Sequence, residues 1–452
     1  MRRVADPLRL FSARFLPQGA PLLSVLIFGS YVMGLLRDRI FARTFGAGTE
    51  LDAYNAAFVL PELLLDVLVE AGLAAPFIPI FLRLRREDPT EADRFARTIL
   101  TAGAVVMGIA AVLMFIFAEA TTGLIAPGFD GPQRDLYVSL FRVMLITPIL
   151  FAASLTLGQV LLAEQRFFWY AIAPLLYNGG IILGTLAFAD DFGIYGPAIG
   201  AVIGAVIHLG SRFIGLRPSS FRIGFEGHIR TASMREFVRL MLPKMLSHPV
   251  EPMTFLFFTN VASTLAAGSV TAVSFARNFQ SVPVSLIGVA FALAVFPALS
   301  RAAAAGDRRG FLRLVMTNVV SVTVITISAA IALVLVGELA IRVLLGGGAF
   351  DAEDVALTST VLAAFALSVP TESLTHLLSR AIYATRHTLL QVLASLAGLG
   401  ITVLATLLLL PELGIVAIPL GFAVGMAGKV ALLALALAVR VRTVMPEPTL
   451  PH

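Results

Sequence analysis

Long apolar runs, separated by short charged or Pro/Gly-bearing connections, recur from near the start of the chain almost to its end. A hydrocarbon core about 30 Å thick takes around 20 helical residues. Runs of that length fall near 19–36, 51–82, 96–122, 136–162, 169–188 and 193–215, then near 235–265, 269–299, 311–344, 354–384, 388–410 and 414–439. The pattern predicts an all-α polytopic membrane protein of about twelve transmembrane helices. They divide into a six-helix lobe over 1–216, a linker over 217–235, a second six-helix lobe over 236–442 and a tail over 443–452.

The charges in the connections test that reading, because arginine and lysine concentrate in cytoplasmic loops. Arg83 to Arg86, Glu164 to Arg166, Arg212 to Arg235, Arg301 to Arg313, Arg380 to Arg386 and Arg440 to Arg442 are basic. Those near Asp130, Asp190-Asp191, Ala266 to Ser269, Asp351 to Asp354 and Glu412 are acidic or uncharged. The alternation places the linker and both termini in the cytoplasm. One connection departs from it: the segment after the first span carries Arg37, Arg39 and Arg43 with Asp38 and Asp52, which points to a wet cavity or a role outside topology. An internal echo also runs through the chain. Ala47-Gly48-Thr49 with Pro61 and Pro79 resembles Ala267-Gly268-Ser269 with Pro283 and Pro297, as expected of a transporter built from two repeated halves.

Composition agrees with a membrane chain. Apolar residues make up 58% and charged residues 13% of the 452, and mean hydropathy is +0.91. A soluble domain carries roughly 25% charged residues. The chain has no cysteine, which excludes disulfides, thiolate metal sites and a cysteine nucleophile. The net charge of +5 belongs to cytoplasmic arginines rather than to a nucleic-acid surface. Gly346-Gly347-Gly348 lacks the lysine and flanking elements of a phosphate loop. No His pair has metal-ligand spacing and no catalytic set assembles. The chain is therefore expected not to be an enzyme, with no cofactor and no resident metal.

Ionisable side chains inside spans are costly and usually face a bundle interior. Glu62, Asp66 and Glu70, four residues apart, share one face of a regular helix. Lys244, His248 and Glu251 share another face, near Pro243, Pro249 and Pro252, and Arg277, Asn278 and Gln280 sit between apolar turns. Opposite charges facing one another would line a cavity for a polar headgroup. Local pairing, such as Arg37 with Glu62 or Asp66, is the packing alternative. Arg142, Glu372 and His376 read as packing groups.

The run from Gly34 to Gly48, with Asp52-Ala53-Tyr54, Ala57-Phe58, Pro61, Glu70 and Phe77-Ile78-Pro79, resembles the first-helix region of the MurJ (MviN) family of lipid-linked precursor flippases. Arg166-Phe167 with Ala173 to Asn178, Gly288 to Ala290 with Pro297 to Ser300, Gly348 to Asp351 and Arg380 to Ala384 extend the resemblance over nearly the whole chain. It implies the fold of the multidrug/oligosaccharidyl-lipid/polysaccharide exporter superfamily, two lobes around a central cavity. It also implies translocation of lipid II, an undecaprenyl-pyrophosphate glycopeptide, across the bacterial inner membrane by alternating access. Two further C-terminal helices of many members are expected to be missing. The chain departs from the family where arginines are expected, at Tyr31, at Leu65-Asp66 and at Asn278, and where a carboxylate is expected, at Ser281. Guanidinium forks suit phosphate oxygens, so these departures alter the headgroup grip.

The expected substrate-binding residues are Arg37, Asp38, Arg43, Asp52, Lys244, Arg277 and Asn278, the cations meeting the pyrophosphate. Glu62, Asp66, Glu70, His248 and Glu251 set cavity electrostatics or bind a coupling sodium ion or proton. Lipid-linked precursor and membrane lipids are the expected partners. The alternatives are a cation-coupled exporter of amphipathic small molecules and a non-transporting scaffold in envelope assembly.

Overall fold

The structure, a computed structural model, describes residues 20–67, 71–247 and 249–444, and these are almost entirely helical. The helices are α1 (Ala20–Phe45), α2 (Thr49–Leu65), α3 (Ala71–Glu87), α4 (Pro89–Ile116), α5 (Ala118–Ile125), α6 (Gly131–Met144), α7 (Ile146–Ala163), α8 (Phe167–Ala171), α9 (Ala173–Phe192) and α10 (Tyr195–Leu216). After an extended linker come α11 (Ala232–Ser247), α12 (Val250–Ser263), α13 (Ser269–Pro283), a π-wound turn (Val284–Val289), α14 (Ala290–Ala304), α15 (Arg308–Leu344), α16 (Ala352–Ala366), α17 (Val369–Ala384), α18 (Leu389–Leu413) and α19 (Ala417–Val444).

Seven stretches among the described residues are long and apolar enough to cross a membrane, and α16 with α17, bent by 44° at their junction, makes an eighth. One stretch, Leu389–Val444, holds both α18 and α19. In it Gly398 faces Lys429, Thr402 faces Gly425 and Thr406 faces Gly421, so the two helices run antiparallel. Helices α1, α2–α3 and α11–α12 occupy the other three expected positions. The chain is a multi-pass membrane protein.

The repeat seen faintly in the sequence is sharper in the backbone, at an offset of about 220 residues. Helices α2 and α13 begin at Thr49 and Ser269. Asp88 and Asp307 each cap the helix they precede, and Asp130 and Asp351 precede α6 and α16. Gln165 and Arg386 both take the left-handed conformation. Gly193 and Gly414 share a backbone geometry reserved for glycine, φ 54°, ψ −134° and φ 52°, ψ −131°. Even the π-wound turn at Val284–Val289 has a counterpart at Asp66-Val67.

Two compact units form. One holds 1–44, 56–124 and 130–252; the other holds 45–55, 125–129 and 253–452. The first buries Phe77, Phe81, Phe95, Leu157 and Phe237, and the second Leu299, Phe311, Val322, Leu377 and Leu433. Small residues let backbones meet in both, as is usual where no water drives helices together. Gly180 and Gly184 of α9 lie on Gly200 and Gly204 of α10, where a Cβ would overlap backbone atoms.

Arg212, expected in a basic connection, is instead buried inside α10 with 2% of its surface exposed. Its Nη1 donates to the Trp169 and Tyr170 carbonyls at 2.6 and 2.7 Å. The Tyr170 carbonyl would normally accept from residue 174, but Pro174 has no N–H, so the guanidinium supplies the missing donor. The linker is likewise not a loose strap. Arg97 Nε donates to the Arg222 carbonyl at 2.6 Å, the Glu226 N–H to Thr101 Oγ1 at 2.9 Å, and Arg85 bonds Asp93 and Ser220.

Candidate functional site

The first unit gathers Arg37, Asp38 and Asn178. Helix α1 continues to Phe45, so the charges assigned to a connection lie within its last turns. Arg37 donates from Nε and Nη2 to Asp38 Oδ1 at 3.1 and 2.8 Å, and from Nη1 to Asn178 Oδ1 at 3.2 Å. Asn178 is oriented by its own bond to the Pro174 carbonyl at 3.1 Å. The guanidinium stands over the Phe41 ring at 5.9 Å. Asp38 is buried, while the Arg37 side chain keeps 28% of its surface exposed. A partly exposed arginine that donates to an amide oxygen can exchange that contact for a phosphate oxygen.

The second unit holds a deeper polar centre. Arg277 on α13 forms a two-pronged pair with Glu372 on α17, Nη2 to Oε1 at 2.6 Å and Nη1 to Oε2 at 2.9 Å. Gln280, one turn on from Arg277, bonds it, donates to Glu372 Oε2 at 2.8 Å and to Ser368 Oγ at 3.1 Å. Phe255 and Phe422 lie against the guanidinium at 5.5 and 5.1 Å. Arg277 and Glu372 are each 6% exposed. The pair is fork-to-fork and dry, so Arg277 is committed to Glu372. Asn278, rotated about 100° around the helix, is exposed instead.

Asp52, at 1% exposure, caps α13 from outside that helix. Its Oδ2 accepts from the Gly268 N–H at 2.7 Å, and its Oδ1 from the Thr271 N–H at 2.8 Å and the Thr271 hydroxyl at 2.7 Å. A helix leaves its first N–H groups unpaired and favours negative charge beside them. Gly268 has φ +88°, and a Cβ there would overlap the Ala47 carbonyl. The Ala47 N–H in turn donates to Asp354 Oδ2 at 3.0 Å. Asp52→Ala is expected to destabilise the protein by about 1–2 kcal/mol, seen as a lower melting temperature in detergent, with Asp52→Asn losing less.

The remaining described candidates lie on or beside α1, α2 and α12. Arg43 is exposed in the last turn of α1. Glu62 is exposed and Asp66 half-buried, but α2 ends at Leu65 and Asp66-Val67 is π-wound. Glu70 and His248 lie outside the described residues, as does the side chain of Lys244. Helix α11 ends at Ser247 and α12 starts at Val250, and Pro249 cannot donate a helical hydrogen bond. Glu251 is exposed in the first turn of α12. Among the described residues no group of three or more His, Asp or Glu is disposed to hold a metal ion. Sequence reasoning missed the pairing of Glu372 with Arg277 and the clamp role of Arg212.

Among the described residues, a helical membrane chain of two repeated halves with spans broken at proline and π-wound turns has the architecture of a membrane transporter. The fold matches "Lipid II flippase MurJ, inward closed conformation" with a TM-score of 0.80 over 94% of this chain and 90% of that one, at 23% identity. It also matches an inward-facing multidrug resistance MATE family transporter of the MOP superfamily, TM-score 0.78 over 98% of this chain and 99% of that one, at 15% identity. A probable lipid II flippase MurJ of Thermotoga maritima is 28% identical, covering 80% of this chain and 72% of its own length. The lipid II flippase MurJ of Burkholderia cenocepacia is 27% identical over 92% of this chain and 82% of its own. Residues 41–448 match the family model for lipid II flippase MurJ, and the chain belongs to that family, one of transporters rather than enzymes.

Proposed function

We propose that the protein translocates lipid II, or a closely related polyprenyl-pyrophosphate glycolipid, across the bacterial inner membrane by alternating access, with both termini cytoplasmic. The observation that carries this reading is the family match, which runs from the last turns of α1 to the tail without leaving out either repeat. Arg37 is the residue best suited to meet the pyrophosphate. It is partly exposed, and its Asn178 contact is exchangeable. Asp38 orients it. Arg43, Lys244 and Asn278 are further candidates to contact the headgroup, whereas Arg277 and Asp52 contribute by holding α13 in place. Glu62, Asp66, Glu70, His248 and Glu251 set the local field, the four acids offering carboxylates and His248 an imidazole to a coupling sodium ion or proton.

A direct test reconstitutes the protein in liposomes carrying labelled lipid II and follows its accessibility to an impermeant reagent. Arg37→Ala is expected to slow translocation by at least tenfold, the loss of about 1.4 kcal/mol, measured on variant protein that a melting curve in detergent shows to be folded. Full-rate translocation by Arg37→Ala would remove Arg37 from the mechanism. The MATE likeness supports one competitor, a cation-coupled exporter of amphipathic small molecules. Efflux of cationic dyes without any movement of lipid II would favour it.

A further inference from the structure

The first unit carries a polar pocket that none of the preceding chemistry uses. It lies between α5 and α6, has a volume of about 330 Å³, and is lined by Glu119, Arg134, Asp135, Val138, Ser139 and Arg142. Its depth follows from the helices that frame it. The apolar run of α4 ends at Ile116, three residues before Glu119, and Arg142 stands just ahead of the apolar run that α7 continues. The charges therefore sit where hydrocarbon gives way to headgroups. Beside them Phe115, Ile116 and Phe117 expose 52%, 63% and 59% of their surface, the mark of side chains facing acyl chains.

The pocket is polar, balanced in charge and incompletely satisfied. Arg142 Nε is buried with no hydrogen-bond partner. Its nearest ion-pair partner, Glu119, lies at 4.0 Å, and its guanidinium rests over the Phe115 ring at 5.2 Å. The rest of the guanidinium is open, with 37% of the Arg142 side chain exposed, so an acceptor entering the pocket can reach its Nη donors. Two guanidinium groups suit phosphate oxygens. Two carboxylates, Glu119 and Asp135, suit an ammonium group that can donate hydrogen bonds. A ligand for this set carries a phosphate and a primary ammonium a few atoms apart and has apolar chains to lay along Phe115 to Phe117.

We propose that this pocket binds the headgroup of an aminophospholipid of the phosphatidylethanolamine class, phosphate on Arg134 and Arg142, ammonium on Glu119 and Asp135. A choline headgroup lacks the N–H donors the carboxylates would accept, and a glycerol headgroup brings neither carboxylate an ammonium. The site is independent of which cargo the protein moves.

Native mass spectrometry of the detergent-purified protein, titrated separately with phosphatidylethanolamine, phosphatidylcholine and phosphatidylglycerol, tests it. One phosphatidylethanolamine is expected to bind at least tenfold more tightly than either of the others, about 1.4 kcal/mol. Arg142→Gln and Glu119→Gln are each expected to abolish that preference. Arg142→Lys keeps the charge without Nε and is expected to weaken it. Circular dichroism melting of each variant establishes that it is folded; Glu119 is mostly exposed, so its variant carries the test if Arg142→Gln fails to fold. Equal binding of the three lipids, a preference that survives both substitutions, or binding of inorganic phosphate in place of the lipid would overturn the proposal.

Discussion

Glu372→Ala is expected to cost the folded protein about 3–5 kcal/mol, because it leaves the Arg277 guanidinium buried without its counter-charge. Arg277 is 6% exposed and sits between two phenylalanine rings, so water cannot readily replace the carboxylate. Removing both charges together should cost much less. Arg277→Met with Glu372→Leu keeps the volume and eliminates both desolvation penalties, and such replacements are often neutral or stabilising. Equilibrium unfolding of the two single variants and the double variant in mixed micelles measures the difference. A double variant as unstable as the sum of the singles would mean that the two residues do not act as a pair. The same series separates roles: if Arg277 only holds α13 against α17, the folded double variant still transports.

The second large effect is expected at the seam between α9 and α10. Gly200→Leu should prevent assembly of the first unit. A Cβ at Gly200 meets the Gly180 carbonyl at 2.8 Å and the Gly184 Cα at 2.9 Å, so even alanine forces the helices apart. Packed helices do not deform continuously, and a leucine would separate them along their length. Loss of monodisperse protein on purification, with Gly210→Leu as a tolerated control because no atom stands within 4 Å of its Cβ position, checks this.

The spans and the repeat were legible in the sequence because both rest on local pattern. Apolar length marks a crossing wherever it occurs, and Ala47-Gly48-Thr49 with Pro61 and Pro79 returns as Ala267-Gly268-Ser269 with Pro283 and Pro297; Asp88, Asp130 and Gly193 join that echo only through the helix ends of the structure. What the sequence did not show was which polar group answers which. Arg212 resembled a loop arginine because its neighbours are basic. The signal that could have placed it inside was Pro174, which leaves the Tyr170 carbonyl in need of a donor. Asp52 resembled a cavity charge; its role depends on α13, whose start lies more than two hundred residues further on. Arg277 was expected to face the headgroup, yet it pairs with Glu372, a residue read as packing. Pairings across such separations need the fold. The family motif around Ala173 to Asn178 did contain the partner of Arg37, but only the structure shows Asn178 Oδ1 turned towards it.

The most direct test of lipid II transport is rescue of a bacterial strain in which the native lipid II flippase is depleted. Expression of this chain is expected to restore growth, and an equally abundant, membrane-inserted Arg37→Ala variant is expected to leave the cells lysing. Lysis of cells that carry the well-expressed wild-type chain would contradict the assignment of lipid II as cargo.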